Sequence, residues 1–296
     1  MVVKKKQRKL KKNAQQSQEP NSQRPQSLTQ ESDVVEEDGN LLTFGGHLEV
    51  LRQMLFRILG VVGLIAVVVF CFKDITWQVL MAPSEWDFCT YRWIEQVMHA
   101  VGIDFHFEEF NVQMIATDLS SQFMTHITTA VYLGLLGASP YILYELFRFI
   151  SPALYENERK YSVQVAGIIY VLFLLGVLMS YFVLFPISFR FLGTYSVSAK
   201  VVSNITLDSY ISTFVSLTLV MGVVFQLPVI AFFLGKLGVV SSDMLANYRK
   251  HSFIVIMLVA AIITPPDLMT LVLVTIPLYL LYEVSIRVVG WVEPNE

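Results

Sequence analysis

The sequence predicts an all-α integral membrane protein that crosses the bilayer six times with both ends on one side. Three observations predict it. Of 296 residues, 54% are hydrophobic and only 15% charged, well outside the composition of a soluble domain. Six apolar runs, at about residues 54–72, 123–146, 163–185, 211–234, 253–264 and 268–286, are separated by polar segments. Lysine and arginine are distributed unevenly between those segments: 17 fall on the side of the N-terminus and 4 on the other, and without the tail through Arg24 the split is still 9 to 4. By the positive-inside rule both termini are cytoplasmic.

Residues 1–42 read as a disordered cytoplasmic tail. Seven Lys/Arg lie within the first 12 residues, and Gln/Ser/Pro-rich sequence and an acidic patch from Glu31 to Asp38 follow, with almost nothing to bury. The basic cluster suits anionic lipid, but a solvated tail is the simpler account of it and is preferred. Apolar sequence begins only around Met54, so no cleaved secretory signal is expected. A membrane domain over 43–288 and a short cytoplasmic tail over 289–296 complete the organisation. A spanning helix needs about 20 apolar residues, at 1.5 Å each, to cross about 30 Å of hydrocarbon. Four runs meet this; the fifth has 12 residues and the sixth 19, interrupted by Pro277, so helices 5 and 6 are expected to be short. The first outer loop, from about Lys73 to Gln122, is long and acidic and carries Trp77, Trp86 and Trp93, rings favoured at a membrane interface.

No motif supports catalysis: the chain lacks His-Glu-x-x-His, Gly-x-Ser-x-Gly and a phosphate-binding Gly loop. Its two cysteines, Cys71 and Cys89, make neither a disulfide framework nor a zinc site. No enzyme activity, cofactor or metal is therefore expected. Ionisable residues inside a membrane are costly and each is a candidate. Glu283, near the cytoplasmic end of the last run, reads as structural, and His126, at the start of the second, as interfacial. Gln226 stands in Phe225-Gln-Leu-Pro228, about 15 Å from the edge marked by Lys236. Pro228 removes a helix hydrogen bond there, so the carboxamide serves either as a polar contact site or as interhelical glue. The segment from Phe149 to Lys160 is a proline-broken hinge, with Glu145, Glu156 and Glu158 set against Arg148, Arg159 and Lys160. A local salt-bridge network and a site for a cationic peptide both fit it. Before the first run, His47-Leu-Glu-Val-Leu-Arg52 places Glu49 and Arg52 on one helical face.

These segments together resemble TatC, the multispanning core of the twin-arginine translocase. The likeness rests on His47-Leu-x-x-Leu-Arg52, Ala82-Pro83, Ile115-Ala-Thr-Asp118, Ser151-Pro-Ala-Leu-Tyr-Glu-Asn-Glu-Arg159, Phe185-Pro186 closing the third helix, Phe225-Gln-Leu-Pro228 and Thr264-Pro-Pro-Asp267. They occur in order over about residues 43–288. The resemblance implies a concave six-helix bundle in the plasma (inner) membrane that exports folded proteins using the proton-motive force. It implies binding of twin-arginine signal peptides on the cytoplasmic face, through Glu158, Phe149, Glu49 and Arg52. It further implies single-span TatA/TatB-type partners, self-association in the complex and contact with membrane lipid, with no nucleic acid. Gln226 and Pro228 match the family's intramembrane polar site, and Pro83 and Asp267 its outer loops.

Two departures stand out. The family's entry motif is usually His-Leu-x-Glu-Leu-Arg; here Val50 takes the acidic position and Glu49 precedes it, about 100° away on a helix. Gln226 stands where many relatives carry glutamate, so the notch is polar but uncharged. With Val50 in the usual acidic place, Glu158 is expected to carry more of the arginine recognition. The alternative of a small-molecule secondary transporter calls for inverted repeats, and none is evident between 50–150 and 160–290. An intramembrane protease lacks its catalytic set.

Overall fold

The computed structural model describes residues 44–104, 106–110, 112–150, 162–196, 198, 204–264 and 267–292. The tail expected over 1–42 lies outside the described residues. From Phe44 onward the chain forms one unit. It opens with α1 (Phe44–Cys71) and α2 (Lys73–Met81), then a 3-10 turn (Ala82–Ser84) and α3 (Cys89–Ala100). After β1 (Met114–Ile115) come α4 (Ser121–Ile150), α5 (Ser162–Met179), a π turn (Ser180–Leu184) and α6 (Phe185–Thr194). Next are β2 (Ile205–Thr206), α7 (Leu207–Val224), α8 (Leu227–Lys236), α9 (Ser242–Asn247), α10 (Arg249–Ile263) and α11 (Leu268–Val292). The strands are a two-residue parallel bridge, Met114 beside Ile205 and Ile115 beside Thr206.

Among the described residues, five stretches are long and apolar enough to cross a membrane: Leu48–Cys71, Ser121–Phe149, Val165–Thr194, Leu207–Lys236 and Leu268–Val292. The fifth apolar run folds as α10, whose 15 residues reach about 22 Å, short as expected. The last helix departs from expectation. It has 25 residues, about 37 Å, with Pro277 inside it, and the boundary drawn at 288 falls within it. Pro277 has no N–H for the Leu273 carbonyl four residues back, and in the preceding turn the Thr275 hydroxyl donates to the Leu271 carbonyl at 2.7 Å. Beyond Ile286 the helix still has a buried face to fill, because Val289 packs against Gly235.

Phe185-Pro186 does not close its helix either. Pro186 has no N–H for the Phe182 carbonyl four residues back. The π turn just before it absorbs the mismatch, and the chain runs helically on to Thr194. Thr90 of α3 donates its hydroxyl to the freed Phe182 carbonyl. Tyr91 donates to the Pro186 carbonyl at 2.8 Å. The carbonyls that end α2 find partners in the same way: Tyr181 donates to Val79 at 2.7 Å and Tyr210 to Leu80 at 2.7 Å. Arg190 completes this layer, donating to the Glu108 carbonyl at 3.0 Å with its guanidinium 4.3 Å from the centre of the Phe107 ring and 4.7 Å from that of Phe110. We call this the far face and the opposite one, where α1 begins, the near face.

Helices in lipid gain little from hiding apolar surface, so they associate where small residues let backbones approach. α1 and α4 run antiparallel with Gly134 against Ala66 and Gly137 against Ile65; a Cβ on Gly134 would lie 2.9 Å from that of Ala66. α5 and α7 cross still more tightly: a Cβ on Gly176 would lie 2.5 Å from the Met221 carbonyl oxygen, and one on Gly222 would meet the Phe173 ring at 2.6 Å. Leu184, Leu217, Met221 and Val274 fill the core around this crossing. A Gly176→Ala substitution is therefore expected to cost about 1–3 kcal/mol by overpacking. It should lower the thermal unfolding midpoint in detergent, while Gly167→Ala, which has open space at its Cβ position, leaves the midpoint unchanged. Equal midpoints for the two variants would contradict the tight crossing.

Candidate functional site

The near face gathers the first turns of α1 and the last turns of α4. Their antiparallel register is marked by Gly137 beside Ile65 and, nearer the end, by Arg57 Nη1 3.5 Å from a Glu145 carboxylate oxygen. From that contact Arg52 lies five residues, about 7.5 Å, further along α1, and Phe149 four residues, about 6 Å, further along α4. Glu49, Arg52 and Phe149 are thus brought to one end of one helix pair. Glu158, the remaining predicted recognition residue, lies outside the described residues, as do Glu156, Arg159 and Lys160.

Glu49 accepts hydrogen bonds from Arg52 Nη2 at 2.7 Å and from Gln53 Nε2 at 3.1 Å, so the acid that stands beside Val50 is already engaged within its own helix. Both members of this i,i+3 pair are exposed. Glu145 is different. It is buried, at 5% exposure, and receives the Tyr141 hydroxyl at 3.0 Å besides Arg57. In the sequence it looked like one of several hinge acids facing nearby basic residues. Its described ionic partner instead comes from another helix. The available signal was an arginine and a glutamate each set just inside the end of neighbouring apolar runs, since such groups pair when they are buried.

Across the near face, Glu283 of α11 holds Arg249 of α10 with two hydrogen bonds, 2.8 and 3.0 Å, and accepts a third from Tyr279 at 3.2 Å. This is the structural use expected of Glu283. A ring contact of 6.3 Å between Phe147 of α4 and Phe233 of α8 places the two groups on the same side of the molecule.

Gln226 lies at the break between α7 and α8, with Pro228 buried in the first turn of α8. Its Nε2 donates to the Ile169 carbonyl of α5 at 3.1 Å and to the Gly222 carbonyl at 3.5 Å, which is interhelical glue. Its Oε1 is buried with no partner among the described residues. On the far face, Pro83 is buried in the 3-10 turn before α3. Asp267 caps α11, its Oδ1 accepting from the Thr270 amide at 2.7 Å. His126 stacks on Phe70 at 4.3 Å near that face. Burial pushes the Tyr91 hydroxyl well above its ordinary pKa, so it remains a donor to Pro186. Of the predicted site residues, then, Glu49, Arg52 and Phe149 share the near face, Gln226 and Pro228 sit within the bundle, and Pro83 and Asp267 shape the far face.

The family model for Sec-independent protein translocase protein (TatC) matches residues 46–277. A protein named Sec-independent protein translocase protein TatC from Blattabacterium sp. subsp. Periplaneta americana is 32% identical over 266 residues, spanning 88% of this chain and 100% of its own length. Sec-independent protein translocase protein TatCy of Bacillus subtilis is 38% identical over 173 residues, 58% of this chain and 68% of its own. A crystal structure of twin arginine translocase receptor TatC superposes with a TM-score of 0.66 at 29% identity, covering 83% of this chain and 99% of that one.

The interhelical bond of Gln226 gives a direct expectation. Gln226→Leu removes this donor and should cost about 0.6 kcal/mol, the mean measured for polar contacts between membrane helices, and no more than about 1.7 kcal/mol. Chemical denaturation in mixed micelles reads this loss; a variant as stable as the parent would show that the carboxamide does not hold α5 to α7.

Proposed function

Because this chain belongs to the TatC family of Sec-independent protein translocase proteins, we propose that its near face is a cytoplasmic receptor surface for twin-arginine signal peptides. The observation that carries this reading is the convergence of the α1 entry with the end of α4, the point from which the 151–161 connection departs. The name of the superposed crystal structure, a twin arginine translocase receptor, supports it. In this reading both termini lie on the cytoplasmic side of the plasma (inner) membrane.

Glu158 takes an arginine of the signal through paired, charge-assisted hydrogen bonds. The planar guanidinium fits a carboxylate bidentately where an ammonium cannot, so lysine is a poor substitute. Phe149 supplies an apolar neighbour and Arg52 holds Glu49. Since Glu49 is already bonded to Arg52 and Gln53, it contributes less than Glu158. The assembled complex recruits single-span TatA/TatB-type proteins, with the break at Gln226 and Pro228 as a contact, associates with further copies of itself, and moves folded cargo with the proton-motive force.

Photo-crosslinking of a twin-arginine signal peptide to the region around position 158, with binding measured in parallel, tests the proposal. Glu158→Ala should weaken binding about ten- to hundredfold, the worth of one charged hydrogen bond, and Glu49→Ala distinctly less. Unchanged binding by Glu158→Ala, together with indifference to Arg-Arg→Lys-Lys in the signal, would remove the receptor reading. Equal losses in the two variants would remove the division of labour between the acids.

A further inference from the structure

We propose that Glu145 is a second guanidinium-binding carboxylate and that Arg57 occupies it in the unliganded protein as an internal competitor for a signal arginine. This inference rests on the receptor reading above and adds a site and a regulation to it.

The geometry of the pair carries the inference. An arginine and a carboxylate that lock two helices together are expected to meet bidentately at about 2.7–2.9 Å. Arg249 and Glu283 do nearly that in this same protein, at 2.8 and 3.0 Å. Arg57 does not: its Nη1 stands 3.5 Å from Glu145 Oε1, and its Nε turns back to the Gln53 carbonyl at 3.3 Å. A carboxylate offers about four acceptor positions. Tyr141 fills one of them on Glu145 with a hydrogen bond, and Arg57 holds the charge only loosely.

The two partners are also unequally committed. The Glu145 side chain is 6% exposed, while that of Arg57 is 47% exposed. Arg57 can therefore swing into water at little cost, whereas Glu145 stays fixed and needs a cation. An arginine from outside that approaches bidentately replaces a loose contact with a tight one. The other acid of the α1–α4 pair, Glu49, is already bonded at 2.7 and 3.1 Å, so Glu145 has the greater unused capacity. The described residues here include Arg52, Arg57 and Arg148 against Glu49 and Glu145, three positive charges to two negative. Binding consequently depends on displacing a resident guanidinium, which selects for a ligand that can match its planar fork.

The test compares binding of a synthetic twin-arginine peptide, and of its Lys-Lys counterpart, to the purified full-length protein in lipid nanodiscs. Glu145→Gln keeps the shape and should weaken twin-arginine binding about tenfold through loss of a charged hydrogen bond. Arg57→Gln removes the competitor and should strengthen it several-fold. Thermal midpoints of both variants establish that they are folded. A purely structural ion pair predicts the opposite sign for Arg57→Gln, a weakening like that of Glu145→Gln. That result, an Arg57→Gln affinity no tighter than the parent, or an unchanged Glu145→Gln affinity overturns the proposal. Glu158→Ala and the Lys-Lys peptide separate the two levels. If neither alters binding, the receptor reading itself fails; if both do while the Arg57 and Glu145 variants behave otherwise than expected, only the present inference fails.

Discussion

Hydrocarbon offers neither donors nor acceptors, so each polar group that a helix carries into it has to be met by another part of the same chain. Much of the architecture answers that demand. Pro186 leaves a carbonyl without its amide, and Thr90 takes it. Helix α2 ends with bare carbonyls, and two tyrosines from other helices cover them. Gln226 spends its amide on Ile169, and Ser180 meets Thr218 at 3.4 Å across the same helix pair. Side chains that would be incidental on a soluble surface thus decide which helices are neighbours.

The near face obeys the same demand with charge. Arg57 meets Glu145, and Arg249 meets Glu283, both in the near halves of their helices. The two pairs differ in quality in a way that composition cannot express. One is bidentate and further held by Tyr279; the other is long, although its carboxylate is the more deeply buried of the two. A tight pair is a fixed part of the frame, while a loose one leaves a buried carboxylate available to a better-fitting cation.

The apolar runs were legible because hydrophobic length is a direct consequence of bilayer thickness. They located every long helix and the shortness of α10. What they could not convey was the fate of prolines. Pro186 and Pro277 look like stops in a sequence, yet both are carried inside helical stretches; at Pro186 the freed carbonyl finds its partner in Thr90, remote in the chain. Lateral pairing was equally hidden, since a glycine that permits a crossing, such as Gly176, is no different in sequence from Gly167, which faces open space. At the site, the shared face of Glu49 and Arg52 followed from spacing, and the cross-helix partner of Glu145 did not.

The crossing at Gly176 has a mechanical consequence. With a carbonyl of one helix lying where any side chain of the other would begin, α5 and α7 have no layer of soft, repacking side chains between them at that point. They cannot slide or roll past each other in small steps. Any rearrangement that accompanies transport must treat these two helices as a single lever, and it must be taken up at joints such as the break before Pro228, where one segment already ends and another begins.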